Sequence, residues 1–252
     1  MNQIATKDKI VTNLKTVSDA KRAFYTYHTR PINSVYRRVI EELLVEMHLL
    51  SVNVDFKSDP IYYLGVVTSF ERLMQGYQPE KDKTTIFDAL CRGVDEDPDK
   101  AKAQAESLLS VAKNKSSEDL ITWLSNPTPI EGAENIAESI QAISHQNNFK
   151  YSRPFAIGLY TLLEETNAEL LKDNAKLNEI VDIIAENLGL PGEKMKKDLE
   201  LYRSNLEKMD QLLKVIEDVL EASRKQREKR AQDNLETAES QDDISTSSNI
   251  DH

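Results

Sequence analysis

Apolar residues recur along most of this chain at the three- and four-residue intervals of amphipathic helices. The broadest such pattern lies between Phe24 and Leu50. At about 100° per residue, its second part puts Val35, Tyr36, Val39, Ile40, Leu43, Met47 and Leu50 on one face. Leu44, Val45 and Leu49 fall on the flanks, so only Arg37, Glu41 and His48 form a clear solvent stripe. A helix apolar over most of its circumference has to be wrapped by other elements, which predicts this stretch as the hub of a helical domain.

Punctuation residues divide the rest of the first 189 positions. Ser18 offers an N-cap for a helix from Asp19 to His28, and Pro31 separates that helix from the hub. Val52, Val54 and Phe56 alternate with polar residues, but no second run can pair with them, so a packed loop is expected. Ser58 or Asp59, followed by Pro60, opens a helix that stops before Gly76. Its small residues Gly65, Thr68 and Ser69 would let another helix backbone come close, with the hub the expected neighbour. Thr85 and Asp88 form a capping-box pattern for a short helix ending at Gly93. Further helices are predicted after Pro98, after Ser116 or Ser117, through Ile136, Ile140 and Ile143, after Ser152, and from Asp173 to the stop at Gly189. The fold class is therefore all-α: a globular bundle of about nine helices over residues 1–189, followed by a long C-terminal helix over 190–230.

That last helix carries the most regular pattern. Met195, Leu199, Tyr202, Leu206, Met209, Leu213, Ile216 and Leu220 follow a strict four-three spacing, and no glycine or proline interrupts Glu193 to Arg230. This is a coiled-coil seam. Forty helical residues span roughly 60 Å, whereas a body made from the preceding residues would be only about 40 Å across. The helix must project or find a partner, unless it folds back as a hairpin on the Asp173–Leu188 helix. From Leu212 the stripe widens to include Val215 and Val219.

Beyond the seam, Arg224, Lys225, Arg227, Lys229 and Arg230 surround a single acid, Glu228. Cations at a helix C-terminus are expected from its dipole; the same run could also make contact with anionic lipid or a partner. Residues 231–252 hold six acids, no Lys or Arg and few apolar side chains, so a disordered acidic tail is expected. Glu46 raises a different question, because it falls inside the apolar arc of the hub, with Glu42 and Arg38 stepping back from it at four-residue intervals. An unpaired carboxylate there would cost several kcal/mol, roughly. A buried polar network of Arg38, Glu42 and Glu46, helped by Arg30 or a tyrosine hydroxyl, is the structural expectation; a functional carboxylate is the alternative.

Composition narrows the function. The net charge is −11, but without the tail 37 acids face 32 bases, which leaves no large basic surface for nucleic acid. A single cysteine, Cys91, excludes an internal disulfide and suits a reducing compartment. No stretch is apolar enough to span a membrane, and the first residues resemble neither a signal nor a transit peptide. His28, His48, His145 and His252 form no ligand pair with a carboxylate at helical spacing, and no phosphate-binding glycine loop or serine elbow is present. No catalytic residue, cofactor site or metal site is expected.

Four segments resemble the thylakoid formation protein family, photosystem II biogenesis factors, and point to a cyanobacterial-type member. They are VSDAKRAFYTYHTRPINSVYRRVIEELLVEMHLLSVNVDF (Val17–Phe56), DPIYYLGVVTSFERLMQGYQPEKD (Asp59–Asp82), IFDALC (Ile86–Cys91) and YSRPFAIGLYTLLE (Tyr151–Glu164). The resemblance implies an all-helical, non-enzymatic factor attached peripherally to thylakoid membranes, on their cytoplasmic face. It also implies a role in photosystem II assembly and repair, with an FtsH-type membrane protease and photosystem II subunits or assembly intermediates as partners. A membrane-organising protein acting by coiled-coil self-association and lipid contact is the competing expectation.

Overall fold

The computed structural model describes the backbone of residues 15–113, 115–129, 134–145 and 149–247, with side chains described except at 134–135, 144–145 and 230–247. Among the described residues are ten α-helices, a short 3₁₀ turn at Leu170–Lys172 and no strand. In chain order the helices are α1 (Val17–Tyr27), α2 (Ser34–Ser51), α3 (Pro60–Leu73), α4 (Asp82–Gly93), α5 (Pro98–Lys113), α6 (Ser117–Ser125), α7 (Glu134–His145), α8 (Arg153–Asn167), α9 (Asn174–Leu188) and α10 (Gly192–Ser247).

Local chemistry explains most boundaries. Thr16, two residues ahead of the expected cap, closes a capping box with Asp19, each side chain satisfying the other's backbone N–H. Asp59 Oδ1 accepts from the N–H groups of Ile61 and Tyr62 at 2.9 and 3.0 Å, with Pro60 in the tolerated first turn of α3. Ser152 caps α8 in the same way, and Gly189 ends α9 in the left-handed conformation at φ 66°. Helix α4 begins a turn earlier than its Thr85 pattern suggested. Thr85 donates to the Asp82 carbonyl instead of capping, and the buried Asp82 carboxylate is held by Arg30 at 2.6 Å.

The core is centred on α3 rather than α2. All but four residues of α3 are buried, and α8 is buried continuously from Pro154 to Leu163. The small-residue strip of α3 does admit another backbone, but that backbone belongs to α8: a Cβ on Gly65 would collide with the Pro154 carbonyl, and one on Gly158 with the Ile61 carbonyl. Helix α5 packs on α3 as well, and α1 packs on α4. In α2, Tyr36, Ile40, Leu43, Leu44, Met47 and Leu50 are buried as expected. Val35, expected on the apolar face, is 39% exposed. His48 is buried where solvent was expected, and Leu49 is 58% exposed.

The chain divides into two compact units, Met1–Arg203 and Ser204–His252. The first unit thus takes in the opening turns of α10, fourteen residues past the expected boundary at Gly189, because Met195, Leu199 and Tyr202 are buried in it. Where a disordered tail was expected from position 231, the backbone is helical as far as Ser247; positions 248–252 lie outside the described residues. After Gly192 the sequence contains no glycine or proline to break the helix, and Ala, Glu, Gln and Leu in this stretch favour it.

Candidate functional site

A groove of about 1010 Å³ follows one face of α2 in the first unit, from Ser34 to Leu50, and reaches Asn53 just past the helix end. Its α2 wall is charged over Arg37, Arg38, Glu41 and Glu42, then apolar at Val45 and Leu49. The facing wall is the segment Lys150–Arg153 leading into α8, together with Lys194 and Asp198 from the start of α10.

Arg153 resolves the question of Glu46. Its Nη2 donates to Glu46 Oε2 at 2.8 Å and its Nε to both carboxylate oxygens at 3.2 Å, a forked pair between α8 and α2. Both side chains are half-buried. Burial works against the guanidinium charge, but the Glu46 pair more than offsets it and holds the Arg153 pKa above its ordinary value. The expected network of Arg38, Glu42 and Glu46 is therefore split. Arg38 Nε donates to Glu42 at 3.0 Å on the exposed surface of α2, and neither joins Glu46. No local signal could have found Arg153, which is 107 residues away in sequence.

Tyr151 ties the same groove to α10. Its hydroxyl donates to Asp198 Oδ2 at 2.8 Å, and Lys194 Nζ lies 5.1 Å from the centre of its ring. Burial, reinforced by the Asp198 carboxylate, pushes the phenol well above its usual range, so it stays a hydrogen-bond donor at any physiological pH.

The heptad seam of α10 meets two fates. Met195, Leu199 and Tyr202 are at most 3% exposed in the first unit. In the second unit Met209 is buried and Leu206 and Leu213 are half-buried, but Ile216 and Leu220 are exposed, with Val215 and Val219 beside them at 58% and 59%. Further along, Arg224 pairs with Glu228 at 2.8 Å and Lys225 with Glu221 at 2.7 Å. Arg227 and Lys229 are exposed, and the Arg230 side chain lies outside the described residues.

Reactive groups are placed for packing. Cys91 is fully buried and its thiol is pushed up to about 12 by burial, which removes the thiolate needed for nucleophilic chemistry. His28 is buried with Nδ1 3.0 Å from Thr85 Oγ1, and burial lowers its pKa. The side chains of His145 and His252 lie outside the described residues. Among the described residues, no group of three or more His, Cys, Asp or Glu is placed to hold a metal ion, and no helix is long and apolar enough to cross a membrane.

Among the described residues the protein is all-helical, with a groove along α2 and an exposed apolar stripe on α10. The chain belongs to the thylakoid formation protein family, matching it over residues 16–231. It is 55% identical over 219 residues to Protein Thf1 of Trichormus variabilis, covering 87% of this chain and 94% of that protein. Protein Thf1 of Gloeothece citriformis is 56% identical over 218 residues, covering 86% and 96% respectively. A solved structure of Psb29 is 45% identical, with a TM-score of 0.73 over 84% of this chain and 98% of that one. These relatives place the chain in a thylakoid-related family with cyanobacterial members.

Proposed function

We propose that this protein is a non-enzymatic adaptor for photosystem II assembly and repair. In this reading it works at the cytoplasmic face of the thylakoid membrane, where it engages an FtsH-type membrane protease and presents photosystem II subunits or assembly intermediates to it. Family membership supports the thylakoid setting. The observation that carries the adaptor role is the stripe of Val215, Ile216, Val219 and Leu220, whose exposure ranges from 39% to 65%. A contiguous apolar stripe on a long helix is the geometry of helix-in-groove recognition, and covering it returns about 25 cal/mol per Å² of apolar surface removed from water.

The test is affinity recovery of the tagged full-length protein from cyanobacterial thylakoids, with the double variant Val219→Glu, Leu220→Glu beside the wild type. The expected result is at least a fivefold loss of co-purified protease with an unchanged melting curve. Undiminished recovery would remove the stripe from the docking site. The exposed cations Arg227 and Lys229 favour the membrane-organising alternative. That reading would be preferred if the double variant kept the protease but lost self-association and binding to anionic vesicles.

A further inference from the structure

The groove along α2 is independent of the α10 stripe, and its charges do not balance. Six bases and four acids line it, in a chain whose net charge is −11. Each glutamate already has a cation: Glu41 takes Lys21 at 2.7 Å, Glu42 takes Arg38, and Glu46 takes Arg153. Lys21 holds the Glu41 carboxyl below its usual range, so it is ionised and already paired. Asp198 accepts the Tyr151 hydroxyl at 2.8 Å, a neutral donor that leaves this one carboxylate against the remaining cations. What remains is positive. Among the described residues, Arg37, Lys150 and Lys194 line the groove with no carboxylate within 4.0 Å, and Lys194 rests only on the Tyr151 ring.

Shape and polarity narrow the ligand further. The α2 wall spans Ser34 to Leu50, about 26 Å of helix at about 1.5 Å per residue, and a small molecule does not need such a length. An extended peptide advancing about 3.3 Å per residue would lay roughly eight residues along it. One end of that wall offers cations, at Arg37; the other offers the exposed Leu49 beside the half-exposed Val45.

We infer that this groove is a docking site for an acidic peptide segment of a partner protein, its carboxylates meeting Arg37, Lys150 and Lys194 and an aliphatic side chain covering Leu49 and Val45. Charge complementarity chooses this occupant: a basic segment would face three unpaired cations, and an uncharged one would leave them unmatched.

The experiment selects from a random octapeptide library on the immobilised full-length protein, with counter-selection on the triple variant Arg37→Glu, Lys150→Glu, Lys194→Glu. Selected peptides are then measured by fluorescence anisotropy against wild type, the triple variant and Leu49→Ser. The expected outcome is enrichment of Asp and Glu together with Leu, Ile or Val, at least tenfold weaker binding to the triple variant, and weaker binding to Leu49→Ser, with all three proteins melting alike. Binding should also fall steeply with salt. Failure to enrich any peptide, enrichment of basic peptides, or equal binding to wild type and the triple variant would overturn the inference. So would retention of the wild type, but not of the triple variant, on phosphatidylcholine–phosphatidylglycerol vesicles when no peptide binds, since the groove would then face lipid. None of these readouts depends on Val219 or Leu220, so the outcome is separable from that of the protease test.

Discussion

Gly65 on α3 and Gly158 on α8 lie at one helix crossing, each at a point where the other helix's backbone carbonyls leave no room for a side chain. The obstruction is main chain on both sides, from Pro154 and Ile61, so no rotamer change can relieve it. Gly65→Ala and Gly158→Ala are each expected to destabilise the protein by at least about 2 kcal/mol, although alanine is otherwise the better helix former by about 1 kcal/mol. Urea unfolding of the two variants checks this. A stability equal to wild type would mean that the two helices are not packed backbone to backbone.

The same crossing shows where sequence reasoning stops. The small-residue strip of α3 was legible as a place of close approach, because Gly65, Thr68 and Ser69 recur on one helical face. Its partner was not, because a periodic pattern reports which face is buried and not against what. Glu46 repeats the lesson: its position in an apolar arc demanded a counter-ion, but Arg153 is far away in sequence and adjacent only in the fold. The four-three spacing of α10 was legible because its signal is local, but the spacing alone does not separate the buried Met195, Leu199 and Tyr202 from the exposed Ile216 and Leu220. Beyond Arg230 the backbone is helical as far as Ser247, in a stretch with no glycine or proline to break it.

The Glu46–Arg153 pair joins α2 to α8 across half-buried surface, which makes it worth more than an exposed bridge and less than a core one. Glu46→Gln or Arg153→Gln singly should cost about 1–3 kcal/mol, since each leaves the other charge partly desolvated. The double variant should cost clearly less than the sum, with a coupling of about 1 kcal/mol or more. A double-mutant cycle by chemical denaturation measures it. Strict additivity would show that the two side chains do not interact in solution.

Asp59 gives the stability a pH dependence of known sign. Desolvation pushes its carboxyl up to about 7 although Ile61 and Tyr62 N–H groups donate to it. The folded protein therefore holds this proton more tightly than the unfolded chain, whose carboxyl titrates near about 3.9. The contribution is fully present below pH about 4 and is lost as pH rises through about 7. Asn at this position can still cap α3 but carries no charge to desolvate. Relative to wild type, Asp59→Asn should gain stability between about pH 4 and about pH 8, on the order of 2 kcal/mol at about 1.4 kcal/mol per pKa unit after discounting for partial exposure. Urea midpoints at the two pH values decide it; a gap that does not widen with pH would remove the charge from the account.

Four-three spacing treats Leu199 and Leu220 as equivalent seam positions on α10, yet Leu199 is 2% exposed and Leu220 is 65% exposed. Energetics should separate them. Leu199→Ala deletes buried methyl groups and leaves a cavity in the first unit, which costs about 2–5 kcal/mol. Leu220→Ala removes atoms already in water and should stay within about 0.5 kcal/mol. Thermal and urea unfolding of the isolated full-length protein supply both values. If Leu220→Ala were as damaging as Leu199→Ala, that side chain would be covered in solution, and the most direct cause would be a second copy seated on the stripe. Repeating the measurement over a range of protein concentrations would distinguish that case, because stability derived from association rises with concentration and stability derived from intramolecular packing does not.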